Sequence, residues 1–279
     1  MKLGFMTLGC PDWDLDTICR NGQAWGFDGV DFRGLGPEID VTKLPAFTTD
    51  AAKTARRLAD AGLAVSGISS SIKVCDASRR DANLDEAKRT IEAAAAVGAA
   101  NVRVFGGGDA AKVGHRTAAA VGRECVDTIL DLSGARKLSW NFETHDDWVR
   151  GADCKLLLDA IKDPAFGALW DLGHTKRVGG ESPADTLAAL GGRVRYTHVK
   201  DAVRDATQKG GWRYVMPGEG ELPLAEAVDR LRADGYDGWL VFEHEKRWHP
   251  ELEDPSVAFP AFAKWARATL ARAVTRGGR

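Results

Sequence analysis

Residues 234–243 read DGYDGWLVFE: a glycine-punctuated stretch, a short apolar run and then a carboxylate. Glycine stops helices because it takes the left-handed conformation freely. An uninterrupted apolar run suits a strand covered by helices on both faces. The same unit recurs as WGFDGVDFR (25–33), AGLAVSGIS (61–69), VGAANVRVF (97–105) and LGGRVRYTHVK (190–200). ARKLSWNFE (135–143) and FGALWDLGH (166–174) repeat it with weaker stops, and KLGFMTLG (2–9) supplies an opening strand. Segments with helical periodicity lie between these strands, at 14–25, 49–61, 85–97, 116–132, 184–190 and 223–233, and a last one at 261–274 closes the chain. Eight strands alternating with helices in 279 residues predict an α/β fold, a single (β/α)8 TIM barrel over residues 1–279. A doubly wound sheet is the competing architecture, but no G-x-G-x-x-G turn follows the first strand.

The composition is 44% hydrophobic and 28% charged with a net charge of −2, an ordinary globular balance. No basic run or excess marks a nucleic-acid partner. The opening MKLGFMTLG is too short for a signal peptide, and no apolar run is long enough to span a membrane. Five scattered cysteines, none in a C-x-x-C pair, read as reduced core thiols of a cytoplasmic protein. Oligomeric state is left open, with a homo-oligomer among the options.

Four successive strands end in ligand-type residues: Glu143, Asp171, His198 and Glu243. Each alone reads as a helix cap or a satisfied loop residue. In a parallel barrel the four ends share one rim, the face that carries barrel active sites. Three carboxylates and an imidazole brought together repel unless a divalent cation sits among them. Oxygen donors with one nitrogen suit Mn²⁺ first or Mg²⁺, with Co²⁺ and Zn²⁺ as alternatives. Alternation turns Ser139, Asn141 and Glu143 inward and Trp140 and Phe142 toward the helices; Tyr196, His198 and Lys200 likewise share a side.

These residues resemble the sugar phosphate isomerase/epimerase family of xylose isomerase-like barrels, over essentially the whole chain. This group takes in epimerases, hydroxypyruvate isomerases, inosose dehydratases and endonuclease IV-like proteins. The resemblance rests on Glu143-Thr144-His145, on Asp171 with His174, on His198-Val199-Lys200-Asp201 and on the closing Glu243. It implies one metal ion on Glu143, Asp171, His198 and Glu243, with the two glutamates as an acid/base pair flanking a carbohydrate carbon. It also implies substrate contact by His174. An Arg before a Pro-Gly-x-Gly turn binds substrate in the epimerases, and Arg213 ahead of Pro217-Gly218-Glu219-Gly220 is similar. The nuclease branch needs further histidines where this chain has Ile68-Ser69-Ser70-Ser71 and Val104-Phe105-Gly106-Gly107, which counts against a zinc phosphodiesterase.

The implied chemistry is proton transfer through an enediolate, giving isomerisation or epimerisation of a sugar, sugar phosphate or keto-polyol. Loss of a β-hydroxyl from the same carbanion makes dehydration the alternative. His145 and Lys200 are candidate substrate contacts; Lys200 either neutralises an anionic substrate or pairs with Asp201 or Glu245. Trp13, Trp148, Trp212 and Trp248 lie in or beside loops after strands and either stack on a sugar ring or cap the barrel. The glycine run 106–108 is a weak phosphate cradle. Asp31, Arg33 and Arg103 share inward parity and predict a buried ion network. His244, Glu245 and His249 are expected in a solvated loop.

Overall fold

The computed structural model describes residues 1–208 and 210–272, and in it eight parallel strands close into a barrel. In chain order these are β1 (Lys2–Met6), β2 (Gly29–Phe32), β3 (Ala64–Lys73), β4 (Asn101–Phe105), β5 (Ser139–Glu143), β6 (Phe166–Asp171) and β7 (Val194–Val199). A two-stranded antiparallel hairpin, β8 (Asp201–Arg204) and β9 (Trp212–Val215), precedes the last barrel strand, β10 (Trp239–Phe242). β10 then pairs with both β7 and β1 and closes the ring.

Around the barrel run α1 (Leu15–Ala24), α2 (Ala51–Asp60), α3 (Arg80–Val97), α4 (Ala110–Val113) and α5 (His115–Leu130). They are followed by α6 (Gly151–Ala160), α7 (His174–Arg177), α8 (Pro183–Leu190), α9 (Leu224–Ala233) and α10 (Pro255–Ala271). All eight expected strands are present. Gly98 and Gly191 stop α3 and α8 at φ of +74° and +58°, as the repeat predicts.

The differences have local causes. α6 has no sequence signal at its start, because it opens on Gly151 with no side-chain cap. α10 begins at Pro255 and not at 261, because Asp254 caps it and Pro260 is accommodated inside the helix. The last two residues expected of that helix, 273 and 274, lie outside the described residues. The hairpin lies between β7 and α9, where the repeat predicts no strand.

Register makes the barrel interior a stack of layers. Glu143 lies opposite Leu169, Leu169 opposite Tyr196, and His198 opposite both Asp171 and Val241. Because alternate residues share a face, Met6, Leu169, Tyr196 and Val241 plug the barrel axis as an apolar cluster separate from the strand–helix core. The next inward positions toward the C-terminal rim are Glu143, Asp171, His198 and Glu243, all buried. Among the described residues no helix is long and apolar enough to cross a membrane.

Candidate metal centre

The four strand-end residues converge. His198 Nδ1 is 3.2 Å from Glu143 Oε1 and 3.4 Å from Glu243 Oε2. Glu143, His198 and Glu243 offer ligand atoms within 4.8 Å of one another, and so do Glu143, Asp171 and His174. His174 joins because it follows Asp171 by three residues at the start of α7; its Nδ1 stands 2.7 Å from Asp171 Oδ2. Asp171 Oδ1 is already committed, accepting from the backbone N–H of Gly173 and His174 at 2.9 and 3.0 Å. Oδ2 is left facing the cluster.

The donor set fits a divalent ion. Buried polar atoms are normally hydrogen-bonded, yet Asp171 Oδ2, Glu243 Oε2, His174 Nδ1 and His198 Nε2 have no hydrogen-bond partner. The first two are carboxylate oxygens turned to the shared space. The positive charge now nearest them is Lys200, whose Nζ is 2.5 Å from Glu243 Oε2, 2.6 Å from Glu245 Oε1 and 3.1 Å from Asp171 Oδ2.

Electrostatics follow from this packing. Burial opposes charging of His198, but Glu243 and Glu143 outweigh it and raise the imidazole to about 10. Burial likewise pushes the Asp171 carboxyl up, and Lys200 and His174 overcome it, holding the group well below the usual carboxylate range. Glu143 is held low by His198 and Arg103, and Glu243 by Lys200 and His198, in each case against burial.

The parity assignments hold: Ser139 Oγ donates to Asn141 Oδ1 inside, while Trp140 Nε1 turns outward to Ala135 O. His145 is half-buried on the rim, with Nδ1 2.8 Å from Asp146 and its ring edge-on to that of His174. Lys200 joins the cluster and does not pair with Asp201, whose carboxylate instead accepts from the N–H groups of Gly218, Gly220 and Leu222. The Pro-Gly-x-Gly turn is thus tied to the start of β8. Glu245 is not a solvated loop residue, since it holds Lys200, and His244 is buried with Nε2 on Glu253 O.

Arg213 is not brought to the cluster. Its side chain is 55% exposed and pairs with Asp205, because along β9 it is Tyr214 that turns inward, 3.5 Å from Glu245. Trp13 packs on Trp25 and Phe259 and lines a separate cavity of about 460 Å³ that contains none of the cluster residues. Trp148 is fully buried, with Nε1 donating to Gly107 O, so it offers no face to a sugar. Trp248 is exposed, and Trp212 lies under Arg204. The glycine run is packing, not a cradle: a Cβ on Gly106 would fall 2.1 Å from the Trp148 ring and one on Gly108 2.1 Å from Cys75 O.

The expected ion network of Asp31, Arg33 and Arg103 is not an ion network. Asp31 accepts from Ser69 Oγ and the Tyr196 hydroxyl, and Arg103 turns to Glu143 at 3.5 Å. The sequence reading did not single out Arg103 beside Glu143 at this rim, nor Tyr214 beside Glu245 with Arg177 donating to the Tyr214 hydroxyl. For Arg103 the shared strand parity with Glu143 was the available signal.

A closed parallel barrel with a buried acid–imidazole cluster at its C-terminal rim defines a barrel-enzyme class with a candidate divalent-metal centre. The chain belongs to the xylose isomerase-like TIM barrel family, whose profile matches residues 19–268, and so to an enzymatic superfamily of sugar isomerases, epimerases and dehydratases. It is 30% identical over 134 residues to the rhizopine catabolism protein MocC of Rhizobium meliloti, covering 43% of this chain and 39% of that protein. It is 34% identical over 119 residues to an inosose dehydratase of Lactiplantibacillus plantarum, covering 37% of this chain and 36% of that protein. The matched stretch thus spans under half the length of these curated relatives. In fold it is similar to the probable 3-DHS dehydratase AsbF from Bacillus anthracis, with a TM-score of 0.77, 16% identity and 96% and 99% of the two chains covered. The IOLI protein with a binding zinc atom matches at the same TM-score and 16% identity, with 97% and 98% covered.

Proposed function

We propose that this protein is a divalent-metal-dependent lyase that removes water from a keto-polyol of the inosose type. Glu143 and Glu243 are its acid/base pair. The observation that carries the reading is the meeting of two buried glutamates at one imidazole nitrogen, with a lysine ammonium against one of them. Dehydration stands ahead of isomerisation because inosose dehydratases recur among the curated relatives, at 34%, 29% and 26% identity.

Glu143, Asp171, His198 and Glu243 would hold the ion, Mn²⁺ first among the candidates, and when bound it supplies Lewis acidity that polarises a carbonyl and acidifies the neighbouring C–H. The chain's own groups do the rest. One glutamate takes the proton from the carbon next to the carbonyl, and the C–H electron pair becomes the C=C bond. The proton for the departing β-hydroxyl comes from Lys200, whose Nζ lies 2.5 Å from Glu243 Oε2, by way of that glutamate, and the hydroxyl leaves as water when its C–O bond breaks. His174, at the edge of the cluster, orients substrate oxygens. Lys200 balances charge beside Glu243, and His145 lines the entrance.

Isomerisation or epimerisation is the second reading, supported by 35% identity over 101 residues to a putative hydroxypyruvate isomerase of Streptomyces coelicolor. It uses the same two glutamates and differs in where the proton returns. The test is Mn²⁺-loaded protein with a panel of inososes and ketoses in D₂O, followed by NMR. Dehydration predicts an unsaturated product, whereas isomerisation predicts only deuterated isomers. Glu143→Gln and Glu243→Gln should each lower turnover by roughly 10²–10⁴-fold, with bound metal checked by elemental analysis. Near-normal turnover in both variants with metal retained would show that the glutamates are not the acid/base pair.

A further inference from the structure

The acids occupy one side of the rim, at the ends of β5, β6 and β10. The opposite quadrant, β2 to β4, is basic. Ser69 lies opposite Arg103, and Phe105 lies opposite both Lys73 and Glu143. Alternation along β2 brings Arg33, two residues past Asp31, to the same inner face. Arg103 is only 3% exposed, yet its Nε and Nη1 have no hydrogen-bond partner. Its one nearby carboxylate is Glu143, 3.5 Å from Nε, and its guanidinium lies 3.9 Å from the centre of the Phe105 ring. Arg33 is half-buried and donates to Ser71 Oγ and Ser69 O at 2.8 and 3.4 Å, both neutral acceptors.

Among the described residues the one ion pair in this quadrant is that of Arg103 with Glu143. Neither Arg33 nor Lys73 forms an ion pair among the described residues. The carboxylates that Arg33 feels are engaged by other donors: Asp31 by Ser69 and Tyr196, Glu86 by the Ser71 N–H, and Asp40 by Arg89. Asp146, which Lys73 feels, is held by His145. Burial lowers the Arg33 guanidinium to about 10, and the Arg103 charge works in the same direction. Arg33 bonds the carbonyl of Ser69, the residue paired with Arg103, so the two guanidinium groups sit on neighbouring chain segments and disfavour each other's charge, which a bound anion would relieve.

We infer that Arg33, Lys73 and Arg103 form an anion subsite that takes a carboxylate or phosphate carried by the substrate whose keto end lies at the metal cluster. The inference deepens the proposed function and rests on it: the substrate becomes an anionic keto-polyol. Guanidinium groups match a planar carboxylate or a phosphate face through paired N–H donors. A neutral sugar would leave the two buried N–H donors of Arg103 without partners, which disfavours its binding. Lys73, paired with Phe105 at the end of β3, completes the subsite as a point charge on the rim. Its aliphatic stem lies against Gly107, where a Cβ would come within 3.0 Å.

Isothermal titration of the Mn²⁺-loaded protein with matched pairs tests this. Shikimate is compared with its methyl ester, and myo-inositol 1-phosphate with myo-inositol, so that the pair showing the preference tells carboxylate from phosphate. The anionic member of at least one pair should bind roughly 10–100-fold tighter, the range of a charge-assisted hydrogen bond. Arg33→Met and Lys73→Met should each reduce that preference, and the double variant should erase it, with metal content and binding of the neutral member unchanged. Lys73 is half-exposed, so Lys73→Met keeps the test alive if Arg33→Met does not fold. Equal affinity within both pairs, no binding of any of the four probes at millimolar concentration, or a preference surviving the double variant would overturn the subsite. A protein that holds no divalent ion but keeps the anion preference would sink the lyase reading alone. A metal-loaded dehydrating enzyme with no preference would sink the subsite alone.

Discussion

Asp171 divides its oxygens between two tasks: Oδ1 caps the turn into α7 through two backbone N–H groups, and Oδ2 faces Lys200 and His174. His198 has no such division, since its Nδ1 meets two carboxylates at once. Its imidazole, raised to about 10 from 6.5, is charged at neutral pH in the metal-free protein. A group whose folded pKa lies above its unfolded value stabilises the fold fully below the unfolded pKa and loses that effect as pH rises through the folded one. The chelated protein should therefore lose stability between pH 6.5 and about 10, and His198→Asn should lose less over the same window. Calorimetric melts across that range decide it, and parallel losses in the two proteins would remove His198 from the account. A metal ligand must be a neutral imidazole, so ion uptake should also release a proton and tighten as pH rises. The four strand-end residues were legible because alternation fixes which side chains point inward. The contacts of Lys200 were not, because Asp201, Glu245 and the cluster acids are equally reachable for a flexible four-carbon stem.

The hairpin β8–β9 shows what a single element adds beyond the barrel repeat. Its base is fixed by Asp201, the first residue of β8, which ties the turn at Pro217–Gly220 back to the start of the hairpin. Asp201 Oδ2 accepts from Gly218 N and Gly220 N at 2.9 and 3.1 Å. Gly220 is required by close approach, since a Cβ there would lie 1.9 Å from Asp201 Oδ1. The Pro-Gly-x-Gly motif is a structural anchor here, and Arg213 ahead of it stands apart from the cluster, paired with Asp205. Its glycines serve the Asp201 anchor, and it is Tyr214 that the hairpin turns toward Glu245. Gly220→Ala should cost about 1–3 kcal/mol, the usual penalty for forcing an extra carbon into a packed site. Urea denaturation measures the loss, and hydrogen exchange should show faster opening confined to residues 201–222. Unchanged exchange in that segment would mean that the anchor does not hold the hairpin.

For the molecule as a whole, the barrel was legible because each repeat states its own boundaries, a glycine stop and then a strand with inward polar ends. Product choice was not legible: dehydration and isomerisation need the same ligands and the same two glutamates, so the relatives and not the strand ends move the reading toward the lyase. What unites the rim is charge. The metal-free cluster is partly neutralised by Lys200, the His198 proton and Arg103, so the barrel closes without an ion while Asp171 Oδ2 and Glu243 Oε2 stay turned to the shared space. Binding of one divalent ion per chain should therefore raise stability by mass action, by about 4 kcal/mol at a free ion concentration near a thousand times the dissociation constant. For a domain approaching this size each kcal/mol shifts the melting temperature by roughly 2–4 °C. The Mn²⁺-loaded protein should then melt about 10 °C above the chelated protein, less whatever is lost in displacing Lys200 and the His198 proton. Asp171→Ala should show neither the shift nor stoichiometric metal by elemental analysis, because it removes the one carboxylate oxygen held in place by its partner's two backbone bonds. Identical melting of loaded and chelated protein, or full metal content in Asp171→Ala, would leave the cluster as an ion-pair network with no metal role.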